Sequence, residues 1–293
     1  MKYLNLIPLL LLLLFSCDNE PTQPSGNQPP VYTQIDFDPA VSSDGNTLVY
    51  VHSNVDFSFT GMYSFNLITG FNKQLISGIA GTPDISPDNS KIVFSSDGLL
   101  GLLNAAGDSL NIIQTSGKSK FPKWNSGGNK ILYEDPDCNS GCGIRITDAA
   151  GSGNTVLISE GRSPEWTDNK NEFLFLKSLP EASGDSLLKY DMQTGSRTLI
   201  KILSPPDHKT NQYLNYSSGE IIFCSTSESG LSYVYKLNVS SGNIQRLASN
   251  QGWSPFYSSA TGKIYYTNRN EGDGRIWIMD RDGSNNRRFE EIY

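Results

Sequence analysis

From residue 31 onward the chain alternates apolar and polar positions in short runs, and one twelve-residue phrase organises them. A proline opens the phrase and an apolar or aromatic residue stands two positions later. A polar turn rich in Ser, Asp, Asn and Gly follows, and an apolar and an aromatic residue close it nine and eleven positions after the proline. The copies are Pro39/Leu48/Tyr50, Pro83/Ile92/Phe94, Pro122/Ile131/Tyr133, Pro164/Phe173/Phe175, Gln212/Ile221/Phe223 and Pro255/Ile264/Tyr266. Only the fifth replaces the proline, with Gln212. The starts lie 44, 39, 42, 48 and 43 residues apart. A period of roughly 40–45 residues is that of β-propeller blades, which bury no core singly and must share a closed ring.

The last copy predicts the strands of one blade. Trp253–Tyr257 reads as the innermost strand and Ile264–Thr267 as the second. Arg275–Met279 is the third, and Arg287–Phe289 begins the fourth after a tight turn at Asp282-Gly283. Period-two alternation in these runs is what half-buried strands require. No long segment beyond the N-terminus has apolar residues at helical spacing. The expected fold is therefore all-β, a six-bladed β-propeller of four-stranded antiparallel blades spanning residues 31–293. Ring closure is open at this level: Val31–Phe37 is available to extend the last blade, yet the sixth repeat carries a fourth strand of its own.

The repeats carry a resemblance. Ser86-Pro87-Asp88 followed by Lys91-Ile92-Val93-Phe94 resembles the repeat of TolB-type propellers, roughly Pro-x-Trp-Ser-Pro-Asp-Gly-x-x-Ile-x-Phe. Pro122-Lys123-Trp124 and Pro164-Glu165-Trp166 keep its Trp, and Asp44-Gly45 keeps its turn. The sixth repeat is also similar to the YWTD repeat of receptor propellers through Tyr265-Tyr266-Thr267-Asn268. The matched residues are structural, so the resemblance implies fold and leaves function open. TolB proteins also carry a separate N-terminal domain and are soluble in the periplasm, whereas only a 13-residue tether (Asp18 to Pro30) precedes the repeats here.

The N-terminus reads as an address. Met1-Lys2 is a basic start, and Leu4 to Phe15 is nearly all apolar but too short to span a bilayer. Leu14-Phe15-Ser16-Cys17 resembles the lipobox of bacterial lipoproteins. The resemblance implies a signal peptide over residues 1–16, a lipidated Cys17, and anchoring to a membrane through that lipid. Residues 17–30 then form a Pro/Gln/Ser/Gly-rich tether with nothing to bury. The expected location is the bacterial cell envelope, on its periplasmic face or at the cell surface.

A net charge of −7 argues against a nucleic-acid binder, which needs a basic face to displace counterions from phosphates. Cys138 and Cys142 flank a short loop and are close enough for a disulfide in an oxidising compartment, while Cys224 reads as a buried thiol. No Cys/His set has metal-ligand spacing, so neither metal nor cofactor is expected. Asp135–Gly141 echoes a calcium loop, but its Gly is one place late and Ile146 stands at the twelfth position in place of Glu. Gly117-Lys118-Ser119 ends like a phosphate loop, but Ile112 occupies the first Gly position and Pro122 follows where a helix belongs. The only histidines are His52 and His208. No catalytic residues are assigned.

Loops placed on blade faces gather one further group. Lys118, Lys120, Arg162, His208, Lys209 and Trp253 fall in or at the loops entering innermost strands, and His52 falls in a second-to-third-strand loop of the first blade. All would crowd one channel mouth, a cationic rim suited to an anionic ligand or, through Trp253, a sugar ring. The expected function is a non-catalytic module that binds an envelope protein or peptide. Glycan or anionic-ligand capture at that mouth is the alternative, and a propeller lyase or hydrolase stands behind both.

Overall fold

The computed structural model describes residues 33–78, 80–115, 118–136, 143–179, 184–203, 208–227, 229–268 and 273–289, with backbone only for 208–210. The readings for residues 1–32, Cys17 included, and for the Cys138–Cys142 pair lie outside the described residues. The described strands form six sheets of four, each in simple antiparallel order and each from consecutive strands. The blades span residues 34–77, 81–113, 120–159, 162–203, 208–246 and 252–288. Their innermost strands are β1 (Gln34–Val41), β5 (Gly81–Ile85), β9 (Lys120–Trp124), β13 (Arg162–Trp166), β17 (His208–Ser217) and β21 (Gly252–Ser258). Among the described residues there is no helix. The all-β six-bladed propeller is thus the fold.

The repeated phrase explains why the blades stack. Its apolar and aromatic closing positions are buried in every copy, from Leu48 and Tyr50 to Ile264 and Tyr266. They feed six apolar clusters, and each cluster is shared by two neighbouring blades. Val49, Met62 and Leu75 of blade one meet Ile92, Phe94 and Leu103 of blade two, for example. Val41, Leu48 and Phe65 of blade one meet Tyr265, Ile276 and Phe289 of blade six. No blade owns a complete core, so the ring must close for any to be dry.

Where the closing aromatic is tyrosine, the same blade supplies its hydroxyl with an asparagine. Tyr50 Oη accepts from Asn72 at 2.8 Å, Tyr133 Oη donates to Asn154 at 2.6 Å, and Tyr266 Oη donates to Asn286 at 2.7 Å. Phe94, Phe175 and Phe223 need no such partner, as burial of an unpaired hydroxyl would cost free energy. In blade two the third-strand residue opposite Phe94 is Gly101. A Cβ there would lie 2.2 Å from the ring's Cζ. Gly101→Ala is accordingly expected to destabilise by about 2 kcal/mol through overpacking. Thermal denaturation checks this, and an unchanged midpoint would mean that the Phe94 ring yields freely.

The proline marks a bulge. Every innermost strand breaks register with its neighbour at this point, between Phe37 and Ala40 in β1 and between Trp253 and Phe256 in β21. Asp38, Thr82, Phe121, Ser163, Tyr213 and Ser254 all take positive φ there, between 43° and 56°. In five blades this residue directly precedes the proline, which lacks a ladder donor and is tolerated at a bulge. In the fifth blade it precedes Leu214, so Leu214 fills the proline slot, and Gln212 lies two residues before it. The reason is a shorter turn, Ser218-Gly219, joining β17 to the strand Glu220–Ser227.

Positive φ costs a non-glycine residue of order 1–2 kcal/mol. The bulge offsets that by turning backbone N–H groups toward the preceding blade. Asp38 N donates to Ser254 Oγ at 3.1 Å, Thr82 N to Asp38 Oδ2 at 2.8 Å, and Phe121 N to Thr82 Oγ1 at 3.2 Å. Phe121 offers no side-chain acceptor, and Glu134 takes over, receiving Ser163 N at 2.8 Å. Innermost strands are thereby clamped blade to blade without a backbone ladder between them.

Among the described residues closure uses neither strand exchange nor competition for the last blade's edge. Blade six keeps its four strands, β21 to β24 (Arg287–Arg288). Residues ahead of β1's bulge instead bond to the start of the third strand of blade six, β23 (Arg275–Asp280). Asp36 N donates to Gly274 O at 3.0 Å and Gly274 N to Gln34 O at 3.1 Å. Asp273 receives Thr33 N and Gln34 Nε2, and Asp36 pairs with Arg275 at 3.0 Å and with His52 at 2.7 Å.

Candidate functional site: the axial channel

Six innermost strands around an axis leave a channel, and its lining follows from the bulge. The residue after each proline slot alternates away from the core-facing residue that follows it. In blades two to six these positions are Asp84, Lys123, Glu165, Asn215 and Phe256, which line the channel, while blade one has the fully buried Ala40. Toward the face where the innermost strands begin, here the leading face, the channel is narrow. It is lined by Asp38, Thr82, Phe121, Lys123, Tyr213, Ser254 and Phe256 among others. Toward the opposite, trailing face it widens into an open cavity of about 250 Å³. Asp84, Lys123, Glu165 and Asn215 lie at its inner end, and Trp124, Tyr216, Phe256 and Tyr257 line its wall. Ser43, Pro87, Ser126 and Ser259 reach its rim.

The waist between the two parts is ionic. Lys123 Nζ sits 3.0 Å from Glu165 Oε2, with both side chains about 15 % exposed, and 5.8 Å from the centre of the Phe256 ring. Asp84 Oδ2 accepts Trp124 N at 2.7 Å. Asn215 bridges to blade six, its Nδ2 donating to Pro255 O at 3.2 Å and its Oδ1 accepting Tyr257 N at 3.2 Å. Burial pushes Asp84 up to about 6, against the pull of Lys123 and the Trp124 N–H. Burial, aided by the charge of Asp84, pushes Glu165 up to about 7 although Lys123 opposes it. Asp38 is raised to about 6 by burial, against hydrogen bonds from Thr82, Tyr213 and Ser254. Burial alone would push Lys123 down, but Glu165, Asp84 and the more distant Asp38 together hold it above its ordinary value. Three carboxyls around one ammonium therefore gain protons as pH falls through the range just below neutrality.

The residues expected at the leading-face rim have separate fates. Trp253 stacks on Phe37 with ring centres 6.0 Å apart and meets the edge of Tyr213 at 5.4 Å. Phe121 also meets Tyr213, at 5.0 Å, so four aromatics gather over the narrow mouth. Arg162 is engaged with the buried carboxylate of Asp185 and the carbonyl of Asn211, fastening blade four to blade five. His52 lies within the second strand, Thr47–Asn54, rather than in the loop after it, and is engaged with Asp36 at the closure. Lys118 and Lys120 are exposed, and Lys120 lies across the ladder from Glu134. The backbone at His208 begins β17, and the side chains of His208 and Lys209 lie outside the described residues.

The waist charges escaped the sequence reading, as did Phe37, Phe121 and Tyr213. The signal for the former lay in the phrase itself, in the residue between the proline and the apolar position two places on. Among the described residues no histidine or cysteine lines either part of the channel. No three His, Cys, Asp or Glu side chains converge as a metal site there either.

No protein-family model matches the chain, and no curated protein matches it in sequence. Solved structures share its fold. It is similar to a putative TolB from Agrobacterium tumefaciens at 20 % identity and a TM-score of 0.64, covering 76 % of this chain and 86 % of that one. The TolB of Acinetobacter baumannii aligns at 16 % identity and a TM-score of 0.69, over 83 % of this chain and 63 % of its own length. An oligogalacturonate lyase in complex with manganese aligns at 13 % identity and a TM-score of 0.56, over 84 % and 90 % of the two chains. At these identities the likeness is one of fold: the chain shares the propeller architecture of these TolB structures, and an enzyme shares it too.

Proposed function

We propose that the protein is a non-catalytic, protein-binding propeller of the bacterial envelope, held to a membrane by lipid on Cys17, whose trailing-face cavity receives a segment of an envelope protein or peptide. The open cavity carries the reading. Its aromatic wall suits an apolar or aromatic side chain, and its inner end suits a charged or amide group. Concave, largely pre-formed sites of mixed lining are what recognition uses. Lys123, Glu165, Asp84 and Asn215 are already bonded to one another or to the backbone, which fits recognition better than proton transfer to a substrate. The TolB-like fold supports a protein partner and an envelope location. The lipobox supports the anchor.

Photo-crosslinking in cells tests this. A benzophenone amino acid in place of Ser126 or Ser259, both exposed at the cavity rim, is expected to capture a protein partner. The same probe in place of Asp97, on the leading face, is not. Ser259→Arg, which places a bulky charge at the rim without touching the waist, is expected to weaken that capture by about tenfold, the scale of a disrupted hot spot. Capture from position 97 with none from 126 or 259 would move the contact to the leading face, where Lys118 and Lys120 stand, and would end this proposal.

A further inference from the structure

Blade one departs from its neighbour in one loop. The second and third strands of blade two are joined by Asp97-Gly98 alone, whereas in blade one the strands Thr47–Asn54 and Gly61–Asn66 are joined by residues 55–60. This loop reads Val55-Asp56-Phe57-Ser58-Phe59-Thr60. Its three apolar side chains are exposed to 67 %, 67 % and 64 %. They cover no part of the propeller core. Phe57 also has φ of 58°, a backbone state that a bulky residue adopts only when its surroundings enforce it.

The surroundings do enforce it. Asn54 Nδ2 donates to Ser58 Oγ at 3.1 Å and Asn54 Oδ1 accepts from Thr60 Oγ1 at 3.3 Å. Asp56 Oδ1 accepts the Ser58 N–H at 3.0 Å and its hydroxyl at 2.7 Å. Tyr63 Oη donates to Phe59 O at 2.8 Å. The one carboxylate of the loop is thus turned onto the loop's own donors, which hold it below its usual range. The aromatic tips are displayed by a pre-formed frame.

Where the chain enters the propeller says what covers them. Val55 N donates to Thr33 O at 3.0 Å, so the apolar loop is bonded to the first described residue. Only the 16 residues from Cys17 to Tyr32 separate that point from the expected lipid. A random-coil chain of 16 residues has an end-to-end distance of roughly 20 Å, so a lipid on Cys17 would keep the loop at high local concentration beside the bilayer. Exposed phenylalanines so placed partition into the headgroup–acyl boundary.

We infer that Val55, Phe57 and Phe59 form a membrane-contacting wedge that docks the leading-face edge of blade one onto the lipid surface. The inference rests on the lipid anchor proposed above. It deepens that reading by orienting the head, with blade one's leading edge on the bilayer and the wide trailing mouth away from it, open to a partner.

The test uses the full mature lipoprotein in vesicles with brominated acyl chains, after intact mass has verified the lipid on Cys17. Phe57→Trp adds an indole at the wedge tip, and the wild-type protein supplies the background of the native tryptophans. The added emission is expected to be quenched by the brominated lipid. Val55→Ser with Phe59→Ser in the same background is expected to shift the docked–free balance by about tenfold or more toward free, removing most of that quenching. Added emission that is unquenched in lipid-verified protein overturns the wedge while leaving the anchor intact. Shielding from aqueous iodide without lipid quenching overturns it too, because a protein surface would then cover the loop. A mass without lipid would instead be a failure of the anchor.

Discussion

Asp36→Ala is expected to lower the thermal midpoint by about 10 °C. Asp36 is 2 % exposed and carries both the Arg275 guanidinium and the His52 imidazole. Removing the carboxylate leaves Arg275, itself largely buried, with the longer 3.4 Å contact to Asp273 at the seam where first and last blades meet. Breaking a buried pair by removing one partner costs about 3–5 kcal/mol, and the Asp273 contact places this case toward the lower end. The seam has no covalent or strand-exchange closure among the described residues. The substitution therefore weakens the one joint whose opening exposes the apolar cluster of Leu48, Phe65, Tyr265 and Phe289. Scanning calorimetry of wild type, Asp36→Ala and His52→Ala reads it directly. His52→Ala keeps the Arg275 pair and should cost less. Equal midpoints for wild type and Asp36→Ala would place closure elsewhere.

The second large effect is on pH dependence. Asp38, Asp84 and Glu165 have folded-state values of about 6, 6 and 7 against 3.8, 3.8 and 4.5 for the free groups. Between those limits the folded protein binds more protons than the unfolded chain. Stability from these groups is present in full below the unfolded values and is lost as pH rises through the folded ones. The thermal midpoint should accordingly be higher at pH 5.5 than at pH 8, by about 5 °C or more. Below about pH 4 the sign reverses. Asp88 is held down to about 2 by hydrogen bonds from Ser86 and Ser90. At Asp273 burial alone would raise the value, but bonds from Thr33 and Gln34 bring it down to about 2. Stability tied to these two carboxylates is lost as pH falls through their folded values. Melting curves from pH 3 to 9 should thus peak on the acid side of neutrality. Glu165→Gln and Asp84→Asn should each flatten the fall toward pH 8. A midpoint that rises steadily from pH 5.5 to 8 would contradict the assignment of buried charge to the channel waist.

The architecture was legible because one phrase encodes it six times. Proline, polar turn and paired apolar positions each follow from the strand period, and the positions they mark are the ones buried between blades. The fifth repeat misled by two residues. Gln212 fits the spacing of the other copies, but spacing does not reveal that Ser218-Gly219 makes a shorter turn and puts Leu214 at the bulge. The site was less legible for a different reason. Arg162 and His52 looked available in sequence because their partners, Asp185 and Asp36, sit on other strands that only the fold brings near. Lys123 and Glu165 looked like ordinary surface charges beside a Trp. It is the bulge that turns them to the axis, and alternation from the core-facing Trp124 and Trp166 would have said so.

Both the proposed role and the membrane wedge depend on this closed ring being fastened outside the cytoplasm through one sulfur. Intact mass spectrometry of the mature protein from a bacterial envelope tests that most directly. The expected result is a chain beginning at Cys17 and carrying a thioether-linked diacylglycerol with an acylated amine. A mature chain with a different first residue, or with Cys17 as a bare thiol, would contradict it.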